Sequence, residues 1–403
     1  MGAAKLISVE QARAHVLSAL VPTAPEIVPL AEAWGRVSAA DIHARLTNPP
    51  EDISAMDGYA VRAGDADPRL VVGAAPAGHP WVGTVEPGQA IRLFTGSVMP
   101  SGADAVVLQE DTSRDGDEIR VREAIRAGQH IRRAGQDFRA GDVMVAAGSR
   151  LSPRQIGLIA AANHSWVTVH RRPVVAILAT GDEIVLPGDP IPAGGIVSSN
   201  SHALAALVRA CGGFPMLLPI AGDSRAAIAD AAQSAVGADL LVTTGGASVG
   251  DHDLVAAALG EQGLELNFWK VAMRPGKPLM HGHLGRLPLL GLPGNPVSAY
   301  LCAVLFLKPA IERLTGLPGN APASMPARLE SALPANDHRA DHLRCQLLVA
   351  EGGHLLAVPF SRQDSGMMRV LAAADAVILR APHAPEAPAG ATVQVLRLDM
   401  MSI

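Results

Sequence analysis

The chain has 403 residues and a net charge of −5, with 49% hydrophobic and 18% charged residues. This length predicts two to four domains, and the apolar content excludes a disordered chain. The acidic balance argues against a general nucleic-acid-binding protein, which needs a basic surface. Three widely separated cysteines predict a reduced, cytoplasmic protein, and no apolar run reaches the roughly 20 residues of a membrane span.

The first part of the chain combines two helices with a β-rich segment. Ser8 begins a capping-box pattern that predicts a helix over residues 8–20, and Ser152 begins a second such pattern. Between about residues 48 and 145, glycine, proline and aspartate interrupt short apolar runs. That texture predicts β-strands joined by turns.

From residue 173 apolar strands and helices alternate, which predicts a mostly parallel sheet covered on both faces. The predicted strands are 174–179, 214–219, 239–243, 266–271 and 287–291. The predicted helices are 201–211, 224–236, 251–259 and 297–314. After Gly316 a linker rich in proline, glycine and alanine leads to a final segment of short strand-like runs.

The predicted fold is therefore a multidomain combination of α/β and β structure. It contains a doubly wound, mostly parallel α/β sheet domain, an inserted β-rich domain, an N-terminal helical linker domain and a small C-terminal β-barrel. The predicted boundaries are residues 1–47 plus 140–172 for the N-terminal domain, 48–139 for the insertion, 173–318 for the α/β domain and 319–403 for the C-terminal domain.

Three glycine-rich turns follow predicted strands of the α/β domain. They read ATGDEI at 179–184, TTGGASVGDHD at 243–253 and GLPGNPVSAY at 291–300. Ligands of open α/β sheets bind beyond the carboxyl ends of the strands, where free N–H groups and helix dipoles attract anions. One such turn is common, but three at equivalent strand ends predict a binding site.

Carboxylates accompany these turns, namely Asp182, Glu183, Asp251 and Asp253. One interpretation is that they only stabilise the positive ends of helix dipoles. The alternative is that they are oxygen ligands of Mg²⁺, which is held by one or two carboxylates together with phosphate oxygens. A divalent cation would also remove the repulsion between these carboxylates and a bound anion.

Positive charge is concentrated in FWKVAMRPGKP, where Lys270, Arg274 and Lys277 fall within eight residues. These side chains are either a solvated basic turn or a clamp for an oxyanion. Arg132 and Arg133 form a second basic pair in the β-rich segment. A cation clamp beside an anion-binding turn favours a phosphate-bearing or oxyanion substrate.

Other residues are less specific. Asp57 and Gly58 in SAMDGYAVR give a turn signal, and His281 and His283 are expected at the surface rather than as metal ligands. The sequence contains no Walker loop, no G-x-G-x-x-G after the strands, no H-E-x-x-H and no G-x-S-x-G elbow. The residues alone therefore indicate a Mg²⁺-assisted enzyme that lacks a Walker loop.

Seven motifs in order resemble the molybdopterin molybdenumtransferase family, called MoeA in bacteria, and are similar to the E domain of gephyrin. They are SAMDGYAVR, LFTGSVMP, IRRAGQD, ATGDEI, TTGGASVGDHD, RPGKP and GLPGNPVSAY. The resemblance implies an enzyme that inserts molybdate into adenylylated molybdopterin, with Mg²⁺-dependent release of AMP. It also implies an elongated homodimer, in which the β-rich region faces the α/β domain of the other subunit.

The resemblance also implies roles for individual residues. Expected catalytic residues are Asp57, Thr95, Glu183, Asp239, Lys270 and Lys277. Expected metal ligands are Glu183, Asp251 and Asp253. Expected substrate-binding residues are Arg132, Asp137, Gly245, Gly246, Ser248, Gly250, Arg274, Pro293, Pro296, Ser298, Arg344 and Ser365. Among these, the resemblance assigns molybdate to Arg274, Lys277 and Ser298, and it assigns Arg132 and Asp137 to the partner subunit's contribution.

The sequence departs from the family pattern at four positions. Leu254 stands where a tyrosine is expected, Ser198 where an acidic residue is expected, Cys345 where glycine is expected and Gln136 where glutamate is expected. These departures concern the details of ligand binding.

Two other functions stay open at this stage. A molybdopterin adenylyltransferase shares the α/β domain, although the additional terminal regions and RPGKP argue against it. A gephyrin-like scaffold without catalysis is the other, although Asp57, Lys277 and Asp253 argue against it. The adenylyltransferase and acceptor molybdoenzymes are expected as further partners.

Overall fold

The computed structural model describes residues 6–245, 254–350 and 352–399. Contacts between residues divide the chain into two compact units. The α/β unit comprises Met1–Glu26, Gly35–Ala39 and Val169–Ile403, and the β-rich unit comprises Ile27–Trp34 and Ala40–Thr168. Within the described residues, no helix is both long enough and apolar enough to cross a lipid bilayer.

The helices begin largely where their caps predict. The capping boxes at Ser8 and Ser152 are confirmed, since each hydroxyl accepts a hydrogen bond from the N–H three residues later. The α-helices of the described residues are Val9–Ser18, Pro153–Ala161, Asn200–Ala210, Arg225–Gln233, Leu254–Glu261, Pro296–Cys302, Lys308–Leu314 and Met368–Ala372. Short 3-10 helices are Leu30–Glu32 and Gln109–Asp111.

A six-stranded sheet forms the centre of the β-rich unit. Its strands, in spatial order, are Ala105–Leu108, Gly58–Val61, Gln89–Leu93, Arg69–Ala75, Glu118–Val121 and Thr112–Asp115. Alternate residues pack on opposite faces, with Tyr59 and Val61 in one cluster and Ala60 in the other. Short pairs join Ile42–His43 to Val143–Val145 and Ile53–Ser54 to Ile131–Arg132. Two further short strands are Pro25–Pro29 and Trp166–His170.

The predicted mostly parallel sheet of the α/β unit is confirmed. Its strands, in spatial order, are Phe214–Leu217, Val174–Ala179, Leu240–Thr244, Leu287–Leu292, Pro278–Leu284 and Leu264–Lys270. The first four are parallel. Pro278–Leu284 pairs antiparallel with both of its neighbours, so the edge strand Leu264–Lys270 again runs in the direction of the first four. The sequence did not predict the strand Pro278–Leu284, because its glycine and two histidines weaken the β pattern.

This missed strand corrects the expectation for His281. The side chain is 1% exposed instead of lying at the surface. It packs against Phe268, with ring centroids 5.4 Å apart, and against His283, with centroids 5.6 Å apart. Burial lowers the pKa of His281 to about 4, so the ring is neutral at physiological pH.

Both faces of the α/β sheet carry a hydrophobic core, as a doubly wound fold requires. Val175 and Ile177 pack in one cluster with residues of the helices Val9–Ser18 and Asn200–Ala210. The intervening residue Ala176 packs in the second cluster, with residues of the helices on the opposite face. Continuous apolar strands are the sequence signature of this arrangement.

The predicted helix 297–314 is interrupted by a π-helical turn, Ala303–Leu307. Pro309 follows that turn and has no N–H group to donate to the carbonyl four residues earlier. The helix Lys308–Leu314 restarts with this proline in its first turn. The wider turn therefore accommodates the missing hydrogen bond without ending the helical segment.

The predicted small C-terminal β-barrel is also confirmed. Its strands, in order round the barrel, are Ala340–Val349, Leu355–Pro359, Ser324–Leu329, Thr392–Arg397 and Ala376–Arg380. The last strand pairs with the first, which closes the barrel. The short strand Met273–Arg274 pairs in parallel with Ala340–Val349, so the basic segment of the α/β sheet is attached to the barrel.

Candidate active site

A cleft with a volume of about 530 Å³ lies at the carboxyl ends of three parallel strands of the α/β unit. The predicted glycine-rich turns at 179–184 and 291–300 line it. Thr244 and Gly245, the described residues of the turn at 243–253, line it too. The lining residues are Ala179–Gly181, Glu183, Ile184, Ile196–Asn200, Asp223, Thr244, Gly245, Leu254, Pro278 and Pro293–Pro296. This is the position at which open α/β sheets bind ligands.

Gly245 allows the three turns to approach each other closely. Its φ of +93° favours glycine, and a Cβ at this position would lie 2.4 Å from the Thr180 carbonyl oxygen. On its other side, the ideal Cβ position of Gly294 is 3.5 Å from the Gly245 Cα. The glycines therefore form a floor in which backbone rather than side chain faces the cleft.

Asn200 ties two of these turns together. Its side-chain amide donates to the Thr244 hydroxyl at 2.9 Å and to the Gly294 carbonyl at 2.8 Å. The Thr244 hydroxyl in turn lies 3.4 Å from the Pro293 carbonyl, to which it donates. This network fixes the spacing of the turns before a ligand arrives.

Glu183 and Asp223 are the two carboxylates among the described lining residues. A Cβ on Gly181 would lie 2.6 Å from a Glu183 carboxylate oxygen, so the turn needs glycine to hold this carboxylate over its own backbone. Asp223 is connected to Asp182, because the Asp223 N–H donates to the Asp182 carboxylate at 2.9 Å. Sequence reasoning missed Asp223, although it precedes the predicted helix cap Ser224.

Several predicted site residues lie outside the described residues. They are Gly246, Ser248, Gly250, Asp251 and Asp253. Within the described residues, no group of three histidine, cysteine, aspartate or glutamate side chains is arranged to hold a metal ion. The described helix that follows begins at Leu254.

The basic segment lies beside the cleft. Pro278 lines the cleft, Lys277 precedes it, and Lys270 is its partner in the antiparallel ladder. Lys277 is exposed, and no carboxylate of the described residues lies within 4 Å of its ammonium group. Lys277 is therefore available to an anionic ligand.

Arg274 differs from the lysines because carboxylates of the barrel already neutralise it. Its guanidinium donates from Nε to Asp341 at 2.8 Å, donates a second bond to the same carboxylate, and lies 3.3 Å from Asp337. The bonds to Asp341 raise the pKa of Arg274. The predicted anion clamp would require Arg274 to exchange these partners.

The C-terminal domain also supplies hydrogen-bond acceptors to the start of the helix Pro296–Cys302, which begins at the cleft. The Ser365 hydroxyl accepts a hydrogen bond from Asn295 at 3.0 Å, and the Ser365 carbonyl accepts one from Val297 at 3.0 Å. Pro293 and Pro296 line the cleft, as does Asn295. Ser365 is thus hydrogen-bonded to the segment that lines the cleft, and its role in binding substrate stays a prediction.

Arg344 and Ser298 are buried behind this rim. Arg344 is 1% exposed, and its guanidinium donates to the Gln363 side chain at 3.1 Å and to the Asp364 carbonyl at 2.8 Å. Burial lowers the pKa of Arg344. Ser298 is 4% exposed in the first turn of its helix, and neither residue is among those that line the cleft.

The structure does not bring Asp239 to the cleft. It precedes the strand Leu240–Thr244, at the opposite end from the glycine turns. Its carboxylate forms a fork with Arg171, at 2.7 and 3.0 Å, and accepts the Val174 N–H at 2.7 Å. These contacts fasten the beginnings of two strands, which is a structural role.

In the β-rich unit, Asp57 and Thr95 form a close pair. One Asp57 carboxylate oxygen accepts the Thr95 N–H at 2.7 Å and the Thr95 hydroxyl at 2.8 Å. These two bonds lower the pKa of Asp57, with a smaller contribution from the positive charge of Arg92. The exposed carboxylate is therefore ionised and oriented.

Arg132 and Asp137 belong to the same region of the β-rich unit. Arg132 pairs with Ile53 in the ladder, four residues from Asp57. Asp137 accepts a hydrogen bond from Asn48 at 3.1 Å. Segment 48–57 therefore contains Asp57 of one predicted motif and contacts Thr95, Arg132 and Asp137 of the other two motifs in this unit.

Among its described residues, the α/β unit thus presents a glycine floor and two carboxylates at one cleft, and Lys277 directly precedes a lining residue. Backbone-lined floors at strand ends suit phosphate, and hard carboxylate oxygens suit Mg²⁺. The arrangement suits a ligand that carries phosphate groups and approaches with a divalent cation.

Family models match three successive parts of the chain. They are the MoeA N-terminal region (domain I and II) at residues 7–163, a probable molybdopterin binding domain at 176–313 and the MoeA C-terminal region (domain IV) at 326–398. The second match contains every described residue of the cleft.

Named relatives agree with these models over nearly the whole chain. The molybdopterin molybdenumtransferase of Nostoc sp. is 36% identical over 93% of this chain and 89% of its own length. Molybdopterin molybdenumtransferase 2 of Mycobacterium tuberculosis is 35% identical over 96% of this chain and 98% of its own length.

A solved structure has the same fold. The molybdopterin biosynthesis MoeA protein from Pyrococcus horikoshii superimposes with a TM-score of 0.84 at 29% identity, covering 97% of this chain and 99% of that chain. Three consecutive family models, full-length relatives and this fold all agree with the seven motifs. The chain belongs to the molybdopterin molybdenumtransferase (MoeA) family, a family of transferases.

Proposed function

We propose that this protein inserts molybdate into adenylylated molybdopterin and releases AMP in a Mg²⁺-dependent reaction. The main support for this proposal is the cleft, in which a backbone floor at three strand ends faces Glu183 and Asp223. Both substrates are anions, and the adenylylated one carries a pyrophosphate. A site for them needs N–H donors, a divalent cation and basic side chains, and this cleft offers a place for each.

The described donor set fits Mg²⁺. Glu183 and Asp223 supply carboxylate oxygens on the lining, and Mg²⁺ in proteins commonly keeps several waters and takes only one or two carboxylates together with phosphate oxygens. Asp251 and Asp253 are the further carboxylates that the family resemblance assigns to this ion. When bound, the ion would withdraw charge from the pyrophosphate and so weaken the bond to AMP.

The protein's own residues bind and orient the two reactants. The floor at Gly181, Gly245 and Gly294 admits the pyrophosphate close to the backbone. Lys277 attracts the second anion, molybdate, because no described carboxylate competes for it. Holding both reactants in one cleft raises the effective concentration of molybdate beside the dithiolene.

Both dithiolene sulfurs form bonds to molybdenum and replace oxide ligands of molybdate, which leave as water after protonation. One water cleaves the pyrophosphate, which yields AMP and the phosphate monoester of the loaded cofactor. Electrostatic stabilisation of the departing AMP by Lys277 and Lys270 is the expected contribution of the basic segment.

We also propose that the protein acts as a homodimer, in which Asp57, Thr95, Arg132 and Asp137 of one subunit approach the cleft of the other. The support is chemical. Asp57 is an ionised, exposed and oriented carboxylate that serves no ion pair among the described residues. Such a preorganised group is typical of a site that meets a ligand.

Reconstitution of an apo-molybdoenzyme tests the proposal. The purified protein is incubated with adenylylated molybdopterin, Mg²⁺ and micromolar molybdate, and the mixture is added to the apoenzyme. Activity that depends on the protein, on molybdate and on Mg²⁺ supports it. Formation of adenylylated molybdopterin from molybdopterin and ATP would instead identify an adenylyltransferase. Substrate binding without either activity would identify a scaffold.

A further inference from the structure

A small parallel sheet, here called the mini-sheet, forms one side of the cleft. It pairs Ile184–Val185 with Ile196–Val197. The Ile196 N–H donates to the Glu183 carbonyl at 2.8 Å, so the mini-sheet is attached directly to the turn that carries a cleft carboxylate. Any ligand near that carboxylate is therefore close to the mini-sheet.

Aliphatic side chains of the mini-sheet are exposed where they line the cleft. Ile184, Ile196 and Val197 all belong to the lining. Ile196 is 55% exposed and Val197 is 41% exposed. Single exposed aliphatic residues are ordinary, but a group of them on the wall of a concave site marks a surface that a ligand covers.

Polar and charged residues also line the cleft. Thr180 and Asn200 lie on the floor, and Glu183 and Asp223 add negative charge. The Thr180 hydroxyl is buried and has no hydrogen-bond partner among the described residues. A ligand that fills this cleft must therefore be amphipathic, with charged groups towards the floor and an apolar face towards the mini-sheet.

We propose that the mini-sheet binds a planar heteroaromatic ring of the substrate, with Ile196 and Val197 packed against the face of the ring. This inference rests on the proposed function, which supplies a substrate with a ring on each side of its pyrophosphate. Adenine and pterin share the chemistry required, namely a flat face of low polarity attached to phosphate. The cleft's polar floor takes the phosphate, and the mini-sheet takes the ring.

The expected contribution of this contact is modest and measurable. Covering the exposed half of an isoleucine contributes about half of the free energy of its full burial. Removing the side chain should therefore weaken ring binding about five- to tenfold. Ile196→Val keeps most of the surface and should weaken binding less than about threefold.

Calorimetric titration separates the two rings. AMP and molybdopterin are each titrated with Mg²⁺ into the wild-type protein and into Ile196→Ser. Ribose 5-phosphate serves as a probe with the phosphate but no ring, and its affinity should not change. Ile191→Ser is the matched control, because Ile191 is 59% exposed between the two strands of the mini-sheet and does not line the cleft.

Each outcome is decisive. Weaker binding of AMP alone assigns the mini-sheet to adenine, and weaker binding of molybdopterin alone assigns it to the pterin. Unchanged affinity for both overturns the inference, as does an equal loss in Ile191→Ser. If the wild-type protein fails to release AMP on addition of molybdate while Ile196→Ser still weakens AMP binding, the proposed function fails and the ring site stands.

Discussion

At the scale of single residues, hydrogen bonds distinguish the predicted site residues from one another. Asp57 accepts two bonds from Thr95 and keeps an exposed, ionised carboxylate. Arg274 was predicted as a molybdate ligand but is held by Asp341 and Asp337. Charge in the sequence therefore does not indicate by itself which group is free to meet a ligand.

Thr95→Val should raise the pKa of Asp57 towards the ordinary value of 3.8, because one of its two donors is lost. A lowered folded-state pKa means that this interaction stabilises the fold above pH about 4, and that the contribution disappears as the pH falls through the folded-state pKa. NMR titration of the Asp57 carboxyl carbon measures the shift. Thr84→Val, an exposed threonine elsewhere in this unit, should leave it unchanged, and an unchanged Asp57 pKa in Thr95→Val would refute the assignment.

Asp239→Asn should lower stability and leave the turnover of folded protein intact. Its fork to Arg171 and its bond to the Val174 N–H are partly buried, so after allowance for solvent screening we expect a loss of about 1–2 kcal/mol in urea unfolding. Glu261, which belongs to an exposed ion pair, is the control. Glu261→Gln should lower the free energy of unfolding by less than about 0.5 kcal/mol. Lost turnover at unchanged stability would restore the catalytic role implied by the resemblance.

At the scale of elements, apolar periodicity and capping residues predicted most of the α/β unit. The strand Val174–Ala179 was predicted residue for residue, because a strand buried on both faces is continuously apolar. The strand Pro278–Leu284 was missed, since its glycine and two histidines weaken the β pattern and the burial of His281 depends on tertiary contacts that no local pattern records. Asp223 was missed for the same reason, because the fold alone brings its turn to the cleft.

Glycine in the strand Gly58–Val61 is required by its neighbour strand. A Cβ at Gly58 would lie 1.8 Å from the Val107 carbonyl oxygen, so Gly58→Ala should separate the strands and destabilise the unit by more than about 3 kcal/mol. Gly157→Ala is the control, because it lies in the helix Pro153–Ala161 with open space around it. That change should stabilise the helix by about 0.5–1 kcal/mol. Thermal denaturation compares the two, and an equal effect would contradict the steric explanation.

At the scale of the whole molecule, the proposed dimer predicts complementation between two inactive variants. Asp57→Ala and Lys277→Ala should each abolish transfer. If the partner subunit supplies Asp57, a mixed dimer contains one site without either change. Unfolding and refolding an equal mixture should therefore restore about a quarter of wild-type activity. Activity that stays at the background of the separate variants would show that one subunit supplies both residues.

In the proposed reaction, the cleft at the three strand ends binds the pyrophosphate and molybdate together. AMP release from adenylylated molybdopterin, measured with and without molybdate, tests it most directly. We predict Mg²⁺-dependent AMP release that molybdate triggers, that falls about 100-fold or more in Glu183→Gln, and that is unchanged in Glu330→Gln, a control at an exposed glutamate of the barrel region. AMP release that ignores molybdate, or that survives in Glu183→Gln, would contradict the account.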